Sequence, residues 1–188
     1  KGSSIKNTKG ELVCKKPFPT MPVKFWNDDE DKKYKSAYFE KYKNVWHHGD
    51  FAKVTDNGGF IIYGRSDTTL NPGGVRLGTA EIYNVVEKFK EIQESIVIGQ
   101  SWNNDVRIIL FVVLNKNYNL NDDVIEKIKK EIRSKVSPRH VPSKIISIFE
   151  IPKTKNGKLV ELAVKQTVEG EKIKNLEAIA NPDSLKQF

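Results

Sequence analysis

A run of nine residues restricts the folds open to this chain of 188 residues. From Val106 to Leu114 it reads Val-Arg-Ile-Ile-Leu-Phe-Val-Val-Leu, apolar at every position but one. A strand with one face in water alternates apolar and polar side chains, whereas a nearly continuous apolar run suits a sheet buried on both faces. Ser95 to Gly99 reads as the strand before it, with Trp102-Asn103-Asn104-Asp105 as the turn between them. Ile82, Val85, Val86 and Phe89 recur at helical spacing after Thr79, with Glu81 in the first turn. Asn121-Asp122-Asp123 caps a second helix with the stripe Val124, Ile125, Ile128, Ile132 and Val136, stopped by Pro138 and Pro142. Lys144 to Phe149 predicts a third strand, Ile151 to Val160 a polar loop with a glycine turn, and Val160 toward Gln166 a short helix. The last twenty residues are charged and loosely patterned.

The order from Thr68 to Gln166, helix, strand, strand, helix, strand, predicts a compact small domain of roughly a hundred residues. The residues before it differ. Leu12-Val13-Cys14 reads as a short strand, Pro17, Pro19 and Pro22 force an extended loop, and Tyr34, Ala37, Tyr38 and Tyr42 predict a surface helix between Asp28 and Lys43. Val45 to Ala52 and Phe60 to Arg65 form a hairpin around Asp56-Asn57-Gly58-Gly59, which delivers Asp50 and Arg65 from neighbouring strands. His47 and His48 point to opposite faces of a strand with no third ligand near, so no metal site is expected. This segment has too few apolar positions to close a core of its own and reads as the end of a larger upstream domain. The expected class is therefore α+β: a small C-terminal domain with a central sheet flanked by helices (67–188), preceded by the β-hairpin-rich end of a larger N-terminal domain (1–66).

Composition narrows the partners. The lone Cys14 cannot form an internal disulfide and reads as a buried strand residue. No apolar run approaches the length of a bilayer span and the first residues hold no signal-peptide core, so no membrane partner and a cytoplasmic location are expected. The formal charge of +8 attracts anions. Its lysines are spread along the chain without interleaved aromatics, so a nucleic-acid partner is not expected, and a basic nucleic-acid interaction module stands as the rival reading from another class.

The segment Gly64 to Gly78 combines glycines, Pro72, and the arginines Arg65 and Arg76, a set suited to phosphates because guanidinium forks and unshielded amides both bind anionic oxygens. Gly64-Arg65-Ser66-Asp67, six residues, Gly74-Val75-Arg76-Leu77-Gly78 and then Glu81 resembles the hinge motif of the adenylate-forming enzymes. That superfamily holds acyl-CoA synthetases, firefly luciferases and peptide-synthetase adenylation domains. His48-Gly49-Asp50-Phe51 is similar to the motif that ends the family's large nucleotide-binding domain, and Pro152-Lys153-Thr154-Lys155-Asn156-Gly157-Lys158 to its C-terminal lysine loop. The phrases 71–76, 158–166 and 181–185 are closest to the branch that activates acetoacetate, with acetyl-CoA synthetases and other short-chain synthetases the nearest to confuse with it.

The resemblance implies a role for each matching residue. Asp50 would accept hydrogen bonds from the ribose hydroxyls of the nucleotide, Arg65 would make a second ribose or phosphate contact, and Arg76 would reach the phosphates. Asp67 would be the hinge about which the small domain swings. Gly73 and Gly74 would let backbone approach the pantetheine arm of coenzyme A, and Lys158 would catalyse adenylation. Arg133 matches a coenzyme A phosphate contact, against the equal alternative of a solvated helix face. ATP, Mg2+ and coenzyme A are implied as substrates or cofactors of a full-length enzyme, with no tightly bound cofactor and no metal ligands in this chain. The family's phosphate-binding loop and acid-pocket motifs have no counterpart in residues 1–63, so the implied partner is a missing N-terminal domain, and the chain alone is expected to be inactive.

Overall fold

The computed structural model describes residues 3–173 and 175–188. Two compact units divide the chain, Lys1–Ser66 and Asp67–Phe188.

The first unit is built on a three-stranded antiparallel sheet in the order β1 (Gly10–Cys14), β2 (Trp46–Val54), β3 (Phe60–Arg65). The hairpin β2–β3 forms as the turn residues require, with Gly58 at φ +79°. The helix expected over 28–43 is much shorter. Glu30 and Asp31 take left-handed torsions, and α1 covers only Lys32–Tyr38, begun by the Asp28 carboxylate accepting the Lys33 and Tyr34 amides at 2.8 Å each. Tertiary packing overrides the periodicity there. Tyr38 stacks on Trp46 with ring centroids 3.7 Å apart, while Phe18, Tyr34 and Phe39 approach the same indole. Trp46, Phe51 and Ala52 are the buried apolar residues among those described in this unit, so its interior is a small aromatic knot. Phe60, Ile61 and Ile62 stand exposed on the edge strand β3. Cys14 is half-buried, less enclosed than expected.

The second unit is a mixed three-stranded sheet with helices on both faces, the expected small domain. Its elements are α2 (Thr79–Val86), β4 (Ile92–Trp102), β5 (Asp105–Leu114), α3 (Asp122–Lys135), β6 (Lys144–Ser147) and α4 (Glu161–Val168). The apolar run is the central strand, antiparallel to β4 and parallel to β6. Its residues divide by parity. Ile108, Leu110 and Val112 pack with Ile82, Val85 and Val86 of α2 and Ile128 and Ile132 of α3, whereas Ile109, Phe111 and Val113 pack with Ala163 and Val164 of α4. The Asn121 side chain accepts the Val124 amide at 3.0 Å, capping α3 as its sequence predicts. The tail is more ordered than its pattern suggests: Ile179, Leu185 and Phe188 join the α4 face, and short 3-10 turns run over Leu176–Ala178 and Pro182–Gln187. No helix of the described residues is long and apolar enough to cross a membrane.

Candidate functional site

In the first unit the hairpin brings Asp50 and Arg65 opposite one another. A bulge intervenes, because Phe51 pairs with Gly64 but Ala52 pairs with Ile62, leaving Tyr63 as the extra residue. Arg65 Nη1 donates to the His48 carbonyl at 2.8 Å and lies 3.9 Å from Asp50 Oδ1. Gly49 permits this. It sits at φ +86°, and a Cβ on it would stand 2.8 Å from Arg65 Nη2. The ring of His48 bonds the other Asp50 oxygen through Nδ1, a contact that a plain strand pattern gave no reason to expect. The corner thus offers a half-buried carboxylate and an exposed guanidinium, the two groups that ribose hydroxyls and phosphate oxygens require.

Behind that corner lies a group that the sequence did not single out. Glu11 accepts from Ser66 Oγ at 2.6 Å, from His47 Nε2 at 2.7 Å and from Lys41 Nζ at 3.1 Å. Burial alone would raise its carboxyl pKa, but these hydrogen bonds outweigh it and hold Glu11 below the usual carboxylate range.

In the second unit, Asp67 is the exposed first residue. The glycine loop that follows is closed at its base by Leu70 and Leu77, whose amides and carbonyls pair at 3.1 and 2.8 Å, with both side chains buried. Within it, Pro72–Gly74 makes a 3-10 turn with Gly73 at φ +57° and Gly74 at φ +76°. The Gly73 amide donates to both oxygens of Asp105, at 2.9 and 3.1 Å. The Val106 and Gly73 amides hold the Asp105 carboxyl below its ordinary pKa. Arg76 is exposed on the same loop. Arg133 lies exposed in the last turn of α3. An arginine beside the loop is Arg139, whose Nη1 is 3.4 Å from where a Gly73 Cβ would be. A groove of about 400 Å3 runs along this side, lined by Pro72, Trp102, Arg107 and Arg139, with the Arg107 guanidinium 3.6 Å from the Trp102 ring centroid. Trp102 had read only as a turn residue, because cation-π stacking between strand ends leaves no periodic signal.

The lysine loop is closed by its own bonds. Lys153 bridges Leu159, the Thr154 amide donates to the Lys158 carbonyl at 2.8 Å, and Thr154 Oγ1 accepts the Lys158 amide at 3.1 Å. Gly157 makes the turn at φ +75°, leaving Lys158 exposed at the loop's end. From behind, Asn181 accepts the Lys153 amide at 2.9 Å and donates to the Ile151 carbonyl at 3.1 Å. Lys153 itself pairs with Glu94, which separates it from Lys158. Three residues on, the buried Glu161 accepts from the hydroxyls of Thr68 and Tyr83, while the Val97 amide donates to the Tyr83 oxygen at 3.1 Å. Burial, and then the Glu161 charge, push the Tyr83 phenol well above its ordinary pKa. Among the described residues no three His, Cys, Asp or Glu side chains group to hold a metal ion.

Residues 81–158 match the AMP-binding enzyme C-terminal domain family. Acetoacetyl-coenzyme A synthetase of Rhizobium meliloti (strain 1021) is 56% identical over 187 residues, covering 100% of this chain and 29% of its own length. Residues 81–158 are thus a C-terminal domain of the AMP-binding enzymes, and the whole chain is similar to part of an acyl-CoA synthetase. Acetoacetyl-CoA synthetase of Gallus gallus is 45% identical over 190 residues, covering 100% of this chain and 28% of its own length. A solved acetoacetyl-CoA synthetase from Streptomyces lividans matches with a TM-score of 0.91 and 41% identity over 98% of this chain and 28% of that one. The chain thus spans under a third of the length of these relatives. The nucleic-acid module suggested by charge alone is not favoured beside them.

Proposed function

We propose that this chain is the C-terminal part of a cytoplasmic, AMP-forming acid:CoA ligase that activates acetoacetate. ATP arrives with Mg2+ as substrate, the acid's carboxylate attacks the α-phosphorus, and pyrophosphate leaves. The thiol of coenzyme A then attacks the acyl carbonyl and AMP leaves. The observation that carries this reading is the Lys158 loop, self-closed and with its lysine exposed, in a chain 56% identical to an acetoacetyl-coenzyme A synthetase over 187 residues.

Each residue has a task in that scheme. Lys158 is the cation between the attacking carboxylate and the α-phosphate, drawing two anions together and offsetting the charge that builds in the transition state. Asp50 and Arg65 take the ribose and adjacent phosphate, and Arg76 takes the phosphates. Asp67 is the pivot that turns the second unit from the orientation presenting Lys158 to the one presenting Gly73 and Gly74. Arg133 contacts a coenzyme A phosphate, and Arg139, beside the glycine loop, is a second cation for the same ligand. The partner of the first unit is the upstream remainder of the same enzyme. The exposed Phe60, Ile61 and Ile62 on its edge strand support that, since apolar edge strands are usually covered.

The test is ATP–pyrophosphate exchange by the full-length enzyme with acetoacetate and with acetate. Acetoacetate-driven exchange lost in Lys158→Ala and kept in Lys153→Ala is expected. Exchange driven by acetate alone would discard the substrate, and exchange surviving Lys158→Ala would discard the lysine's role.

A further inference from the structure

The boundary between the two units falls between Ser66 and Asp67, and the residues on either side of Asp67 both carry hydroxyls. Ser66 Oγ donates to Glu11 Oε1 at 2.6 Å, and Thr68 Oγ1 donates to Glu161 Oε2 at 2.5 Å. Each carboxylate belongs to the same unit as the hydroxyl it holds, and each is shielded: the Glu11 side chain is 13% exposed and Glu161 is 9% exposed. Each is also fixed by further donors, Glu11 by His47 and Lys41, Glu161 by Tyr83. The backbone agrees, since the Ser66 amide donates to the Gly49 carbonyl at 2.8 Å and Leu70 pairs with Leu77 just beyond Thr68.

We propose that Glu11 and Glu161 are positioning residues that bracket the pivot, assigning Ser66 to the first unit and Thr68 to the second so that the rotation is confined to Asp67. This deepens, and rests on, the reading of Asp67 as the hinge. Hydrogen bonds to a shielded carboxylate are strong because the acceptor is charged and little water competes. A swing shared among several residues would leave the second unit in a broad spread of orientations, whereas one pivot with clamped neighbours favours discrete ones. Glu161, the first residue of α4, lies only three residues beyond Lys158, so its clamp also keeps the chain that carries the catalytic cation near the pivot.

The experiment uses the full-length enzyme in a cysteine-free background, Cys14→Ser included, with spin labels at positions 43 and 130, both exposed. Distance distributions are recorded with a non-hydrolysable acetoacetyl-adenylate analogue, and with that analogue plus coenzyme A. Two narrow, separate distributions are expected in the wild type. In Glu11→Ala, Glu161→Ala and the shape-conserving Thr68→Val they should broaden and overlap. The overall kcat should fall about tenfold, the factor for ~1.4 kcal/mol, while the KM for ATP stays within about twofold. Glu161→Gln, which keeps an acceptor oxygen, should recover most of the loss, and Glu161→Ala combined with Thr68→Val should be no worse than Glu161→Ala alone. Distributions as narrow as wild type in Thr68→Val and Glu11→Ala would overturn the bracket. A single distribution in the wild type under both ligand conditions would overturn the two-orientation reading, and the bracket with it.

Discussion

Gly74→Ala separates what a glycine does for its own backbone from what it does for a ligand. Gly74 sits at φ +76°, and a Cβ there meets nothing within 4 Å, so the chain itself raises no steric objection to a methyl group. The remaining cost is torsional, about 1–2 kcal/mol for an L-residue held in the left-handed region. For a unit of this size that lowers the melting temperature by about 4–8 °C. ATP–pyrophosphate exchange with acetoacetate should stay within about twofold of wild type, because Gly74 has no task in the first half-reaction. Thioester formation should fall at least about tenfold in Gly74→Ala and further in Gly74→Leu, where a larger side chain fills the approach of the pantetheine arm. Parallel loss of both half-reactions would refute the assignment, and so would a loss of stability well beyond the torsional cost. Gly73→Ala is a second probe of the same approach: its φ of +57° gives similar strain, and its methyl would meet Arg139 Nη1 at 3.4 Å, so it too should lower thioester formation more than exchange.

Further outcomes follow from single contacts. Gly49→Ala would put a methyl 2.8 Å from Arg65 Nη2 and displace that guanidinium from the His48 carbonyl; steady-state kinetics should show a KM for ATP raised about tenfold, ~1.4 kcal/mol of lost binding. Tyr83→Phe leaves Glu161 Oε1 without its phenol donor and the Val97 amide without its acceptor, and at about 1–3 kcal/mol per orphaned group should cost ~2–6 kcal/mol in urea unfolding. Glu11 has its folded pKa below the ordinary 4.5, so its contribution to stability is present above that value and lost as pH falls through the folded pKa. The stability difference between wild type and Glu11→Gln should therefore be flat above about pH 5.5 and shrink below it; a difference that grows on acidification would contradict the network.

What the sequence disclosed depended on the range of the forces involved. Nine consecutive positions from Val106 to Leu114 sufficed to predict a strand covered on both faces, because burial acts on every residue and so writes a readable pattern. The cap of α3 at Asn121 was equally local. The short α1 was not legible, because the stack of Tyr38 on Trp46 is a contact between elements that no window over 28–43 contains. Glu11 and Glu161 were missed for the same reason: their hydroxyl partners lie 55 and 93 positions away, and a glutamate in a polar segment has the pattern of a solvated one. Arg139 stands beside Gly73, 66 positions away in sequence, a neighbourhood that no local pattern announces.

On the proposed reading the second unit serves two half-reactions in turn and has to move without deforming, a demand that a sheet closed on both faces meets. If Ile109, Phe111 and Val113 relied on a neighbouring domain for cover, each swing would expose apolar surface, at ~25 cal/mol per Å2, and the two orientations could not be close in energy. Here α4 and the tail residues Ile179, Leu185 and Phe188 supply that cover from within the second unit. The same tail segment pins the lysine loop through Asn181. Cover and catalytic geometry are therefore coupled. Asn181→Ala, which removes two backbone partners of the loop while leaving Lys158 and the glycine loop in place, should lower adenylation more than thioester formation; an equal effect on both would mean that the tail serves only as cover.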